Sequence, residues 1–400
     1  MQTCYIIDAV RTPIGKYGGK LSSIRPDDLM AHVIKALLQR NPSIDVHQIE
    51  DVIIGAANQA GEDNRNVARM ASLLAGLPIT TAGNTVNRLC ASGLQSIMDA
   101  SRAIMCGEGM LYIAGGVESM TRAPFVTAKN DAAWSRKTET YDTTFGWRFI
   151  NHELSKMYHP FGMGETAENV ASQYDIKREA QDLFAFNSQE KYAAAAARNK
   201  FKDEIIGIEI KEKKSTFLFD TDEHPRKTDL AQLAALQPAF KKDGTVTAGN
   251  ASGVNDGSSA LLLASEEAVK LFNLQPMARV VSMAVAGVHP SIMGMGPVPA
   301  TQKALQRAGI KKNEIDLIEL NEAFASQSIA CIKELDLNES IVNINGGAIA
   351  LGHPLGCSGS RISTTLLHEM KKQKSKYGLA TMCIGVGQGA AVIYENLKLL

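Results

Sequence analysis

The sequence runs twice through one order of strands and helices, and this repetition limits its possible folds more than any other feature. In the first third, residues 4–9 read as a strand, 26–38 as a helix, 52–57 as a strand and 66–74 as a short helix. A loop of small and polar residues, Asn87-Arg88-Leu89-Cys90-Ala91-Ser92-Gly93, then leads into a helix to about residue 105. An apolar strand over 110–114 follows, closed by Gly115-Gly116. The last third repeats the order, with strands at 278–284 and 315–320 and helices at 299–308 and 323–335. A glycine-rich loop from Asn345 to Gly356 again leads into a helix, to about residue 370, and a strand at 379–384. Apolar spacing separates the two element types. Such alternation predicts parallel strands covered by helices, and its recurrence predicts a structural duplication.

Residues 121–247 break this order. They hold both tryptophans, Trp134 and Trp147, and the charge runs Lys211-Glu212-Lys213-Lys214 and Asp220-Thr221-Asp222-Glu223-His224. The charge runs read as solvated faces. The segment is too long for a plain loop and should carry helices, 181–198 being the clearest. A strand at 258–265 and a helix at 266–271 return to the first unit. The expected division is 1–120 with 248–272 as an N-terminal half, 121–247 as an inserted loop domain, and 273–400 as a C-terminal half. An insertion between two units is well placed for substrate contacts.

Composition removes several classes. Lys+Arg and Asp+Glu both number 42, so no polyanion-binding surface and no nucleic-acid partner is expected. With 400 residues, two or more domains are expected. No apolar run reaches membrane-spanning length. A strand begins almost at once, which leaves no room for a leader, and the last residues carry no peroxisomal ending. The six cysteines form no C-x-x-C pair and no metal-site set with histidine. Free thiols in the cytoplasm, with no metal, are the expectation.

Four segments gather small and polar residues where a strand meets a helix or a turn: around Cys90, Asn321-Glu322-Ala323-Phe324, Gly352-His353-Pro354, and Cys383-Ile384-Gly385-Val386-Gly387-Gln388-Gly389. Cys90 sits at a helix N-terminus, where unpaired N–H groups favour a thiolate, the form that attacks carbonyls. Each segment also has a plainer reading. Cys90 and Cys383 can be small buried hydrophobes, His353 a turn residue, and Asn321 a helix cap. The glycine run after Cys383 is too near the C-terminus for a dinucleotide βαβ unit. If like ends of the two halves pack together, all four segments meet at the C-terminal edges of strands, where open α/β sheets hold their sites.

Together these segments resemble the signatures of the thiolases. Asp8-Ala9-Val10-Arg11-Thr12-Pro13 and Thr247-Ala248-Gly249-Asn250-Ala251-Ser252-Gly253 fit the same family, so the resemblance covers essentially the whole chain. It implies an α/β fold of two mixed sheets in an α/β/α/β/α arrangement with an inserted loop domain. By resemblance, Cys90 is the nucleophile that carries an acyl group and His353 the base that activates it. Cys383 exchanges a proton with the α-carbon of acetyl-CoA. Asn321 and His353 form one oxyanion hole through a water, and N–H groups near Cys90 and Gly385 form another. Met163, Arg226, Ser252, Ala323 and Phe324 match coenzyme A contacts. Coenzyme A is a co-substrate in this reading, no cofactor stays bound, and the chain forms a dimer or tetramer. Residues 60–70 and Thr144-Phe145-Gly146-Trp147-Arg148-Phe149-Ile150-Asn151 further resemble the 3-oxoadipyl-CoA branch. Such a substrate ends in a carboxylate, for which Arg148 is the candidate partner. Arg65 and Arg69 fit a subunit contact.

Overall fold

In the computed structural model, residues 2–213 and 215–397 are described. The first unit runs β1 (Cys4–Arg11), β2 (Gly15–Lys16), α1 (Pro26–Arg40), β3 (Ile49–Gly55), α2 (Val67–Leu74), β4 (Ala82–Val86), α3 (Ser92–Cys106) and β5 (Leu111–Ser119). The insertion holds hairpin β6 (Phe125–Thr127) and β7 (Thr140–Asp142), then α4 (His152–Met157), α5 (Met163–Gln173) and α6 (Arg178–Ala197). A second hairpin, β8 (Ile208–Lys211) and β9 (Thr216–Phe219), and α7 (Leu230–Ala234) complete it. The chain returns through β10 (Asn255–Ser265) and α8 (Glu266–Leu271). The second unit is β11 (Ala278–Gly287), α9 (Pro297–Ala308), β12 (Leu317–Leu320), α10 (Ala325–Leu335), α11 (Ala348–Leu351), α12 (Leu355–Gln373), β13 (Tyr377–Ile384) and β14 (Gln388–Asn396).

Local chemistry explains the helix starts. Pro26 opens α1 where its missing N–H costs nothing, with Asp27 and Asp28 in the positive first turn. Asn66 caps α2 by accepting the Arg69 N–H. Gly309, with φ 66°, ends α9.

The strands run in the order β12-β13-β14-β11-β1-β10-β5-β3-β4, with β2 beside β10. β3 lies parallel to β4 and β5, and β12 parallel to β13; the remaining pairs in this order are antiparallel. The two expected sheets therefore touch, through the two pairs Tyr5↔Arg279 and Ile6↔Ala278.

Strand alternation sorts side chains into three apolar cores. In β10, Ala260, Leu262 and Ala264 face α1 and α2, while Leu261 and Leu263 face α3 and α12. In β14, Ala390, Val392 and Tyr394 face the same middle core, while Ala391 and Ile393 face α9 and α10. One helical layer is thus shared by both halves, and the order is α/β/α/β/α.

Gly115-Gly116 does not end its strand, as the sequence suggested; β5 continues to Ser119. These glycines serve close approach instead. A Cβ on Gly116 would lie 2.0 Å from the Gly356 carbonyl oxygen, and one on Gly115 would lie 2.3 Å from that of Ser259. The middle helices cross equally tightly: a Cβ on Gly359 would lie 2.2 Å from the Leu94 nitrogen, and one on Gly93 2.7 Å from the Gly356 oxygen. The first turns of α3 and α12 are therefore in contact. Cys90 lies two residues before one helix and His353 two residues before the other.

Candidate active site

Cys90 sits on a tight turn. Leu89 adopts φ 47°, a left-handed conformation uncommon for leucine. Ser92 Oγ accepts the Arg88 N–H at 2.9 Å and donates to the Leu89 carbonyl at 2.7 Å, which locks the turn. The Gly385 and Cys90 backbone N–H groups both act to lower the Cys90 thiol. Desolvation nonetheless outweighs these donors and pushes the thiol up to about 11. Helix position pulls the other way, toward thiolate, and is outweighed. The dipole's partial charge is the weaker effect, so Cys90 rests as a thiol and needs a base.

His353 has the form of that base. Asn255 Oδ1 accepts its backbone N–H at 3.0 Å, and its Nδ1 lies 2.6 Å from Ser358 Oγ. The Ser358 hydroxyl donates its one proton to the Pro354 carbonyl at 2.8 Å. Its oxygen can then only accept from His353, so Nδ1 carries the hydrogen and Nε2 the lone pair. Nε2 is buried with no partner among the described residues. Burial, then the Arg361 charge, lowers the ring to about 3, so it rests neutral.

Asn321 and Cys383 end neighbouring parallel strands. Leu320 pairs with Thr381, and the Asn321 N–H extends the ladder to the Thr381 carbonyl at 3.0 Å. Both side-chain polar atoms of Asn321 are buried without a partner among the described residues. A buried amide in that state needs water or substrate to complete it. Cys383 is buried, and desolvation raises its thiol well above the ordinary range, with Cys90 adding to the shift. The glycine run beyond it is a hairpin turn, with Val386 at φ 63° and Gly387 at φ 82°.

The other candidates separate into two groups. Met163, Ala323, Phe324 and Cys383 share one apolar cluster with Ala167, Val246, Ala251 and Met293. Ser252 joins it by donating its N–H to the Ala323 carbonyl at 3.0 Å. Arg226 is exposed, donating to the Ala248 carbonyl at 3.2 Å, four residues from Ser252. Arg148 is partly buried, with no hydrogen bond or ion pair among the described residues. The preceding Trp147 donates to the Phe161 carbonyl at 2.9 Å, which ties this loop two residues from Met163. The Arg69 guanidinium is used within the chain, on the Ile79 and Thr81 carbonyls. Among the described residues no His, Cys, Asp and Glu group is arranged to hold a metal ion.

Comparison with known proteins is decisive on family. The thiolase N-terminal domain model matches residues 4–267, and the thiolase C-terminal domain model matches residues 274–396. The chain belongs to the thiolase family. A 3-oxoadipyl-CoA/3-oxo-5,6-dehydrosuberyl-CoA thiolase of Escherichia coli (strain K12) is 53% identical over 401 residues, spanning 99% of this chain and 100% of that protein. A beta-ketoadipyl-CoA thiolase of Pseudomonas putida is 54% identical over 400 residues, spanning 99% and 100%. An acetyl-CoA acetyltransferase of Escherichia coli (strain K12) is 48% identical over 401 residues, spanning all of both. Among solved structures, a Bacillus anthracis acetyl-CoA acetyltransferase superposes with TM-score 0.93 at 42% identity, covering 99% of each chain. Human mitochondrial 3-ketoacyl-CoA thiolase in complex with CoA gives 0.92 at 42%, covering 99% of this chain and 98% of that one.

The thiolase site also uses residues that sequence reasoning passed over. Asn255 and Ser358 hold His353, as described above. Glu118 is buried and accepts the N–H groups of Ala57, Asn58 and Gly356 at 2.9, 3.1 and 2.8 Å, which ties the start of α12 to the end of β3. Burial raises its carboxyl to about 7. Phe240 stands edge-on to Phe324 at 6.2 Å and fills the space over Gly164, where a Cβ would lie 2.0 Å from its ring. Of these, only the acid in a buried strand was a signal, since a lone Glu118 among Gly115, Gly116 and Val117 needs partners.

Proposed function

We propose that this thiolase cleaves 3-oxoadipyl-CoA with coenzyme A, giving succinyl-CoA and acetyl-CoA. His353 Nε2 takes the Cys90 proton as the sulfur attacks the 3-oxo carbon. The bond between the α- and β-carbons then breaks. Its electrons pass to the thioester as an enolate, and succinyl remains on Cys90. Cys383 gives its proton to the α-carbon, so acetyl-CoA leaves. The coenzyme A thiol then attacks the succinyl thioester, passes its proton to the enzyme, and restores the Cys90 sulfur. Asn321 and His353 hold a water against one developing oxyanion, and the N–H groups of Cys90 and Gly385 face the other. Such donors, aimed where charge develops, are often the largest catalytic effect.

One observation carries the chemistry: a neutral imidazole whose free nitrogen and a buried, unpartnered Asn321 amide belong to the same set of strand and helix ends as two thiols. The substrate rests on full-length identity of 53–54% to the oxoadipyl-type relatives against 48% to the acetyltransferase. Arg148, partly buried and unpaired among the described residues, supplies a cation for the distal carboxylate. Met163, Ser252, Ala323 and Phe324 line the coenzyme A path, with Arg226 at its charged end. The division into two halves and an inserted loop domain belongs to the same reading.

A cytoplasmic homo-oligomer, dimer or tetramer, fits two features. Among the described residues β4 pairs only with β3 and leaves an open edge, and Phe125, Trp134, Phe145 and Phe149 are exposed in the insertion. All six cysteines are unpaired.

The test is kcat/KM on acetoacetyl-CoA, 3-oxohexanoyl-CoA and 3-oxoadipyl-CoA. The dicarboxylic substrate should lead, and Arg148→Ala should lower its value by about tenfold or more while sparing the other two. A lead by an uncharged substrate supports the acetyltransferase or general 3-oxoacyl-CoA reading instead. Equal losses on all three remove Arg148 from the pocket.

A further inference from the structure

The nucleophile and the second thiol come from different halves of the chain. Cys90 lies on the turn before α3, while Cys383 and Gly385 lie on the β13–β14 hairpin. Something must set the spacing between these two turns, because the two proposed oxyanion donors, the Cys90 and Gly385 N–H groups, stand one on each.

We infer that Arg88, bridged to Gln388, is a positioning residue that fixes the nucleophile turn to the hairpin. Its Nε donates to Gln95 Oε1 at 2.7 Å, one helical turn into α3. Its Nη1 donates to Gln388 Oε1 at 3.1 Å. Gln95 is itself held, donating to Asp99 Oδ1 at 2.7 Å on the next turn of α3. Gln388 is the first residue of β14 and pairs with Ile384, next to Cys383. The planar guanidinium thus spans the gap with one arm on each half. Arg88 is two residues from Cys90, and its own N–H is fixed by Ser92 Oγ. A planar donor fork held at both ends transmits position better than a flexible ammonium.

The turn needs such support because it is strained. Leu89 has φ 47° and Val386 φ 63°, both unfavourable for branched side chains. The turns face each other closely, since Leu89 Cδ1 lies 3.2 Å from where a Gly385 Cβ would stand. Among the described residues the Arg88 side chain hydrogen-bonds to Gln95 and Gln388 and to neither thiol. Its effect passes through the distance from the Gly385 donor to the acyl group on Cys90. The inference rests on the roles proposed above for Cys90 and Gly385.

The experiment is a double-mutant cycle with Arg88→Met and Gln388→Leu, read as kcat and as KM for coenzyme A. Each single variant should lose about tenfold or more in kcat, because sub-ångström misplacement of an oxyanion donor is costly, with KM within about twofold. The double variant should lose no more than the worse single one, because both cut the same bridge. Gln388→Glu keeps an acceptor for Arg88 and should stay near wild type, and Arg88→Lys should fall between. Additive losses, an unchanged kcat, or a raised KM with kcat intact would overturn the bridge. If Arg88→Met fails to fold, the contrast between Gln388→Leu and Gln388→Glu decides alone: equal activity of the two overturns it. Wild-type acylation by acetyl-CoA, read by mass spectrometry, separates the two levels. No acyl group on Cys90 overturns the catalytic roles and the bridge with them; an acyl group there with additive losses overturns only the bridge.

Discussion

At His353 a single hydrogen bond to a neighbouring hydroxyl decides what the ring can do. Ser358 spends its proton on the Pro354 carbonyl, so it holds His353 in the tautomer whose Nε2 accepts. The Cys90 thiol is pushed up to about 11, and His353 is the base proposed to take its proton. Ser358→Ala should therefore slow Cys90 acylation by roughly tenfold to a hundredfold, with little change in KM, in pre-steady-state measurement. An unchanged acylation rate would mean that the ring is held some other way. At this scale the four residues proposed to react stand out in the sequence, because each lies in a short, distinctive stretch. Ser358 and Asn255 were not. A serine inside a helix and an asparagine at a strand start have many uses, and only the fold turns them toward His353.

Among elements, the crossing of α3 and α12 matters most, because both helices begin at the site. Gly359 has no room for a methyl group: its Cβ would lie 2.2 Å from the Leu94 nitrogen. Gly359→Ala should cost about 1–3 kcal/mol in denaturant unfolding and lower kcat, as the helices move apart and carry Cys90 away from His353. Stability lost without activity would show that the crossing does not set the site. Most elements were legible from period and caps, with errors where packing overrides local preference. Gly115-Gly116 resembled a stop, yet it is a strand interior cleared for the Gly356 carbonyl. β4, Ala82-Gly83-Asn84-Thr85-Val86, holds poor strand formers and was missed; its conformation comes from pairing with β3. β14 was missed although Val392-Ile393-Tyr394 favours a strand; only its first part, Gly389-Ala390-Ala391, has little local preference and takes its conformation by pairing with β13 and β11.

Across the whole molecule, burial of ionisable groups sets a pH window. Asp63, Glu118 and Glu319 are raised to about 6, 7 and 8, chiefly by desolvation. A raised carboxyl contributes stability at low pH that is lost as pH rises through its folded value. His224 and His353 are lowered to about 4 and 3, also by burial. Their contribution is present above 6.5 and is lost as pH falls toward those values. Below 6.5 the two sets oppose each other; above it only the carboxyls act. Thermal stability should therefore fall between about pH 6.5 and 8, and Glu118→Gln should flatten part of that fall. A melting temperature that climbs over this interval would contradict the assignment. The duplication was legible because strand and helix order repeats. Its junction was not: the two sheets join through two residue pairs, Tyr5↔Arg279 and Ile6↔Ala278, that no local pattern marks.

Cys90 is proposed to carry one particular acyl group, and a single experiment reads the residue and the group together. The wild-type enzyme is incubated with 3-oxoadipyl-CoA without added coenzyme A, quenched in acid, and mapped by peptide mass spectrometry. A succinyl group on Cys90 and release of acetyl-CoA in equal amount are expected. An adduct on another residue, no adduct at all, or faster labelling by acetoacetyl-CoA than by 3-oxoadipyl-CoA would contradict this assignment.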